Sequence, residues 1–113
     1  MSLMRLVSRS WRRLAAWFRG DLVCVDAHGD EPPGKIAQRR LIRMIDEGEP
    51  WAAVMMCPCG CGEVIELSLS SASKTYWRLA IEADRPTLHP SVWRSTGCRS
   101  HFWVRRGRVH WVP

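Results

Sequence analysis

Between Leu3 and Phe18 the apolar residues recur at helical spacing. At about 100° per residue, Leu3, Leu6, Val7, Trp11, Leu14, Trp17 and Phe18 share one face. Arg5, Arg9, Arg12, Arg13 and Arg19 take the opposite face, and Gly20 ends the run as expected just past a helix end. The pattern predicts an amphipathic basic helix over residues 1–20. Such a helix suits packing on its own domain, or docking on a partner protein or a membrane surface, since Trp and Phe opposite Arg is an interfacial arrangement. The acid-free, Arg-rich start is also similar to a transit peptide.

Beyond Gly20 the spacing shortens. Leu22 to Val25 reads as a short strand, and His28 to Gly34 (HGDEPPG) is a loop by composition. Lys35 to Asp46 is ambiguous between helix and extended chain, and Glu47 to Pro50 (EGEP) breaks it. Trp51 to Met56 predicts a buried strand, Glu63 to Leu69 alternates, and Tyr76 to Ile81 is a further strand candidate. Phe102 to Val112 predicts a hairpin turning at Arg106-Gly107. The expected fold is therefore α+β: a small antiparallel sheet with one or two helices near the N-terminus. The expected organisation is the helix at 1–20 followed by one domain over 21–113.

Charge changes this picture little. The chain of 113 residues carries a formal +6, but residues 1–20 contribute five arginines and no acid. The remainder holds 12 basic and 11 acidic residues, a net of +1. The basic character belongs to the N-terminal segment, which argues against nucleic acid as the partner. No secretory h-region is visible, because arginines interrupt the N-terminal apolar residues, and no run is long enough to span a bilayer. The reading is a cytoplasmic protein, where clustered cysteines mean metal or catalysis rather than disulfides.

The candidate chemistry begins at Cys57 to Gly62, CPCGCG, with three thiols in six residues. An extended chain would set successive thiol-bearing residues about 6.6 Å apart, whereas tetrahedral zinc places its sulfurs about 3.8 Å apart. The chain must curl around the ion, and Gly60 and Gly62 permit the curl. A fourth ligand is needed. Cys98, in Thr96 to Phe102 (TGCRSHF), is the thiol best placed to close the site, with His101 as the competing ligand. The preferred set is Cys57, Cys59, Cys61 and Cys98 around a structural Zn2+. Four thiolates leave no open coordination position, so such a metal contributes folding energy and activates no water. A strained disulfide, an iron–sulfur cluster and inert buried thiols fit the spacing less well.

Chemistry, if present, then rests on other residues. Ser91, in His89 to Trp93 (HPSVW), and His101 are candidates for a nucleophile and its base. Ser100 adjoins His101 and on a strand would face the other way, which makes it the poorer partner. No orienting acid stands out; Glu63 and Glu66 are the two carboxylates to consider. A loop serine that caps backbone and a histidine that serves the metal are the competing uses.

CPCGCG, Trp77, HPSVW and GCRSHFWVRRGRVHW together resemble a small bacterial family catalogued as a domain of unknown function. The features shared are a CxCGC element, a Pro-Ser pair and a Cys-x-Ser-His-aromatic element, and the likeness covers roughly residues 50–112. Such proteins occur beside bacterial ubiquitin-like modifiers and relatives of ubiquitin-activating and ubiquitin-conjugating enzymes. The resemblance implies Cys57, Cys59, Cys61 and Cys98 as metal ligands, with Ser91 and His101 the remaining polar pair. It also implies a peptidase that trims or releases a ubiquitin-like modifier, with that modifier or its conjugating enzymes as partners. The rival expectation is a non-catalytic zinc adaptor in the same pathway.

Overall fold

A computed structural model describes residues 21–113. The helix expected over 1–20 lies outside the described residues. Eight strands follow in order: β1 (Val23–His28), β2 (Arg40–Asp46), β3 (Glu49–Met56), β4 (Val64–Ser68), β5 (Arg78–Glu82), β6 (Arg85–Trp93), β7 (His101–Arg105) and β8 (Arg108–Trp111). They form two four-stranded sheets, one in the order β1-β2-β3-β4 and the other in the order β5-β6-β7-β8.

The α+β expectation is therefore corrected. The described residues contain no helix, and there are two sheets instead of one. The segment Lys35 to Asp46, ambiguous by spacing, becomes a connection ending in β2. Its apolar residues serve both faces of a sheet: Leu41 joins the central core, while Ile42 and Met44 pack on the far side with Ala52 and Val54. A strand buried on both faces loses its alternation, so its sequence no longer distinguishes it from a helix. β1 pairs with β2 in parallel, and the other pairings are antiparallel.

One core joins the sheets. Leu41, Ala53, Met55, Ile65 and Leu67 from the first sheet meet Leu88, Val92, Phe102 and Val104 from the second. Phe102 and Val104 are fully buried, while His101 and Trp103, at the alternate positions, turn outward. Alternation along β7 thus sends its polar chemistry to one face of the second sheet.

Tight turns set the registers. Glu47-Gly48, Ala83-Asp84 and Arg106-Gly107 all adopt left-handed φ, the condition for two-residue hairpins whose twist matches the strands. At Gly107, φ is +79° and an added Cβ would lie 2.6 Å from the Leu22 carbonyl oxygen. That carbonyl is close because the Leu22 amide donates to Gly107 O at the same site, pinning the start of β1 against the β7–β8 hairpin.

β6 is the longest strand, and Pro86 and Pro90 hide it in the sequence, since proline cannot donate to a ladder. The register slips between Leu88 and Val92: Leu88 faces Val104 and Val92 faces Phe102. His89, Pro90 and Ser91 therefore oppose Trp103 alone, in a bulge that frees Ser91 from regular pairing.

Candidate functional site

Two constellations meet where β3 ends and β7 begins. In the first, the Sγ atoms of Cys57, Cys59, Cys61 and Cys98 all lie within 4.8 Å of one another. Cys57 Sγ is 3.3 Å from Cys59 Sγ and 3.7 Å from Cys98 Sγ, close to the spacing of about 3.8 Å that a tetrahedral zinc–thiolate site requires. The chain curls as its glycines allow. Gly60 and Gly62 take φ of +88° and +85°, and the Gly60 amide donates back to Cys57 O. Cys57 is buried at the end of β3, while Cys59 and Cys61 face solvent. Cys24 stays in the core of the first sheet, outside the group.

The surroundings fit a metal. The side chain of Ser100 brings Oγ within 3.2 Å of Cys98 Sγ and 3.9 Å of Cys57 Sγ. Hydrogen bonds from the Ser100 hydroxyl and amide hold the Cys98 thiol down at about 6, so it is poised as a thiolate. Burial pushes Cys57 the other way, up to about 12, a cost that a bound cation removes. The guanidinium of Arg94 pairs with Glu63, yet its Nη1 is buried with no hydrogen-bond partner. Burial disfavours the charge on Arg94, but Glu63, Cys98 and Cys57 outweigh it and raise its pKa. A divalent ion in four thiolates carries net negative charge, and a buried guanidinium beside it is the expected counter-charge.

In the second constellation, Ser91 Oγ lies 2.9 Å from His101 Nε2. β6 delivers the serine from its bulge and β7 delivers the histidine as its first residue, with Trp93 and His101 facing each other in register. The Trp93 ring stacks on the imidazole, centroids 5.2 Å apart and planes 13° off parallel. The indole N–H of Trp77 donates to Ser91 O at 3.2 Å. With Nε2 turned to the hydroxyl, the tautomer protonated at Nδ1 lets the imidazole accept the serine proton.

His101, the competing metal ligand, thus has its Nε2 on Ser91 and lies outside the thiol group. Glu63 is engaged by Arg94, and Glu66 sits on β4 opposite Val54 in the other sheet. Neither orients His101, and among the described residues no carboxylate hydrogen-bonds to it. The ring is oriented by an aromatic face instead. Trp77 and Trp93 stood in the shared motifs with no role assigned to them, and Arg94 was missed; its only signal was its place directly after HPSVW. Among the described residues no helix is long and apolar enough to cross a membrane.

A small two-sheet scaffold thus carries four thiols close enough to bind a metal ion beside a serine–histidine contact. The family follows from the sequence match: residues 28–112 match the family described as bacterial ubiquitination-like system serine protease (BubE), and the chain belongs to that family. The match starts well before the segment that carries the motifs and takes in β2 to β8. No curated protein and no solved structure matches the chain.

Proposed function

We propose that the chain is a zinc-stabilised serine peptidase that trims or releases a ubiquitin-like modifier, with Ser91 as nucleophile and His101 as general base. The observation that carries this reading is the 2.9 Å contact between Ser91 Oγ and His101 Nε2, within a chain of a serine protease family. Ser91 Oγ attacks the carbonyl of a peptide or isopeptide bond while His101 Nε2 takes its proton. The same imidazole gives that proton to the departing amine as the C–N bond breaks, leaving an acyl-serine. Water then adds to the ester, His101 again moving the proton, and the free carboxylate leaves.

Zinc would be held by Cys57, Cys59, Cys61 and Cys98 and supplies folding energy, not an activated water. Cys98 anchors the chain three residues before His101, and the Arg94 amide donates to Ser100 O at 2.8 Å, tying that anchor to the strand that carries Ser91. This arrangement supports a positioning role for the metal loop.

The test pairs cleavage with active-site labelling. Wild type, Ser91→Ala and His101→Ala are incubated with a ubiquitin-like modifier bearing a C-terminal extension, and separately with a fluorophosphonate. Cleavage lost by at least 1,000-fold in Ser91→Ala, together with a label mapped to Ser91 and absent in His101→Ala, is the expected result. Cleavage that survives Ser91→Ala overturns the nucleophile. A wild type that binds the modifier but neither cleaves it nor takes the label is a zinc adaptor.

A further inference from the structure

The second sheet carries a cleft that the serine and histidine do not use. Its volume is about 660 Å³, within the range of ligand sites, and it is lined by Arg85, Thr87, Arg105, Arg106, Arg108 and His110. Four guanidinium groups converge there from two hairpins, in a chain whose residues beyond Gly20 are nearly neutral overall. Asp21 offsets part of this charge: its buried carboxylate lies 3.5 Å from Arg85 and 3.9 Å from Arg108. Glu82 faces Arg85 across the β5–β6 pair. Arg105 and Arg106 have no carboxylate among the ion pairs of the described residues. Arg105 lies over the Trp103 ring at 4.7 Å, and the Arg106 amide donates to Thr87 Oγ1, which fixes the turn without using the guanidinium.

The position of the cleft gives it meaning. Along β7 the outward residues are His101, Trp103 and Arg105, and β8 sets Arg108 opposite Arg105 and His110 opposite Trp103. The cleft and the Ser91–His101 pair therefore share one face of one sheet. Four residues of strand, about 13 Å, separate them, with the His89 and Trp103 rings, 5.9 Å apart, in between. A polypeptide extended from the serine would reach the arginines within about four residues of the bond being cut.

We infer that this cleft is an exosite for an acidic segment of the protein substrate, engaging Asp or Glu carboxylates about four residues from the scissile bond. The inference rests on the peptidase reading for its substrate, but not for its measurement. Guanidinium groups bind carboxylates through paired, charge-assisted hydrogen bonds. A cleft of this size on an otherwise near-neutral body suits a short acidic stretch of polypeptide better than the broad backbone of a nucleic acid.

The experiment measures binding on the full chain carrying Ser91→Ala, so that cleavage plays no part. Probes are a fluorescent peptide containing a Glu-Glu-Asp-Glu block, its Gln/Asn counterpart, and a single-stranded oligonucleotide of equal charge. Arg105→Gln with Arg106→Asn removes the two guanidinium groups, and Asn keeps the left-handed turn at residue 106. The expected result is tenfold or greater preference for the acidic peptide over its neutral counterpart, falling with added salt and lost in the double variant, whose metal content is unchanged. Equal binding of acidic and neutral peptides, or acidic-peptide binding unaffected by the double variant, overturns the exosite. Tighter binding of the oligonucleotide through the same arginines overturns it in favour of nucleic acid. Failure of the peptidase reading shows separately, as absence of fluorophosphonate labelling in the chain with Ser91 intact.

Discussion

Ser100 and His101, neighbours in the chain, face opposite constellations: the Ser100 hydroxyl lies 3.2 Å from Cys98 Sγ, while His101 Nε2 lies 2.9 Å from Ser91 Oγ. One peptide unit thus separates the thiol cluster from the imidazole. Strand alternation at the start of β7 produces the division, because successive side chains leave the backbone on opposite sides.

Metal loss should consequently cost both stability and turnover. A structural zinc in a four-thiolate site contributes more folding free energy than a small domain has to spare. Chelation, or Cys57→Ser, is expected to unfold or strongly destabilise the chain and abolish cleavage. His101→Ala should abolish cleavage while zinc stays at one per chain. Elemental analysis alongside thermal unfolding checks both, and zinc lost from His101→Ala would make the histidine a ligand.

Trp93 is 70 % exposed, so it contributes little to the core, yet it supplies the face on which His101 rests. Trp93→Ala should lower kcat by about 10- to 100-fold, the scale expected when a catalytic group is misplaced by about 1 Å. The melting temperature should move little, and Trp93→Phe should recover most of the rate. Steady-state kinetics with a modifier substrate reads the difference between kcat and KM.

Cys24 gives a pH dependence of definite sign. Burial, with lesser help from Asp26, raises its thiol from 9.0 to about 11 in the folded chain. The folded state therefore favours the neutral thiol. Stability from this residue is full below pH 9 and declines as the pH rises from 9 towards 11, by about 2–3 kcal/mol at most. Denaturant unfolding of wild type and Cys24→Ala across that range should show the extra decline only in wild type.

Gly107 and Gly48 both have φ near +80°, but differ in their surroundings. Ala at position 48 meets nothing within 4 Å and should cost about 1 kcal/mol for the backbone alone. Gly107→Ala drives a methyl towards Leu22 O and should cost about 2–4 kcal/mol, a melting temperature lower by roughly 10 °C or more. Equal effects at the two sites would mean that Leu22 moves aside without cost.

The local devices were written plainly in the chain. Three closely spaced cysteines with two glycines specify a tight turn that gathers its thiols closely enough to bind a metal ion, because glycine takes the left-handed backbone the curl requires. Arg106-Gly107 specifies a hairpin, and the alternation of Phe102 to Val104 specifies which side of β7 faces the core. Contacts across many residues were a different matter. Lys35 to Asp46 became a connection and a strand in place of a possible helix only because the first sheet is buried on both faces, a property of neighbours that a single segment does not carry. β6 was obscured by Pro86 and Pro90, and Pro90 has its place in the sheet only through a bulge that pairing with β7 creates. The placement of His101 beside Ser91 and apart from the four thiols also belonged to the tertiary structure. It was decided by which face of β7 meets β6, where the packing of Val92 on Phe102 fixes the register and brings Ser91 alongside.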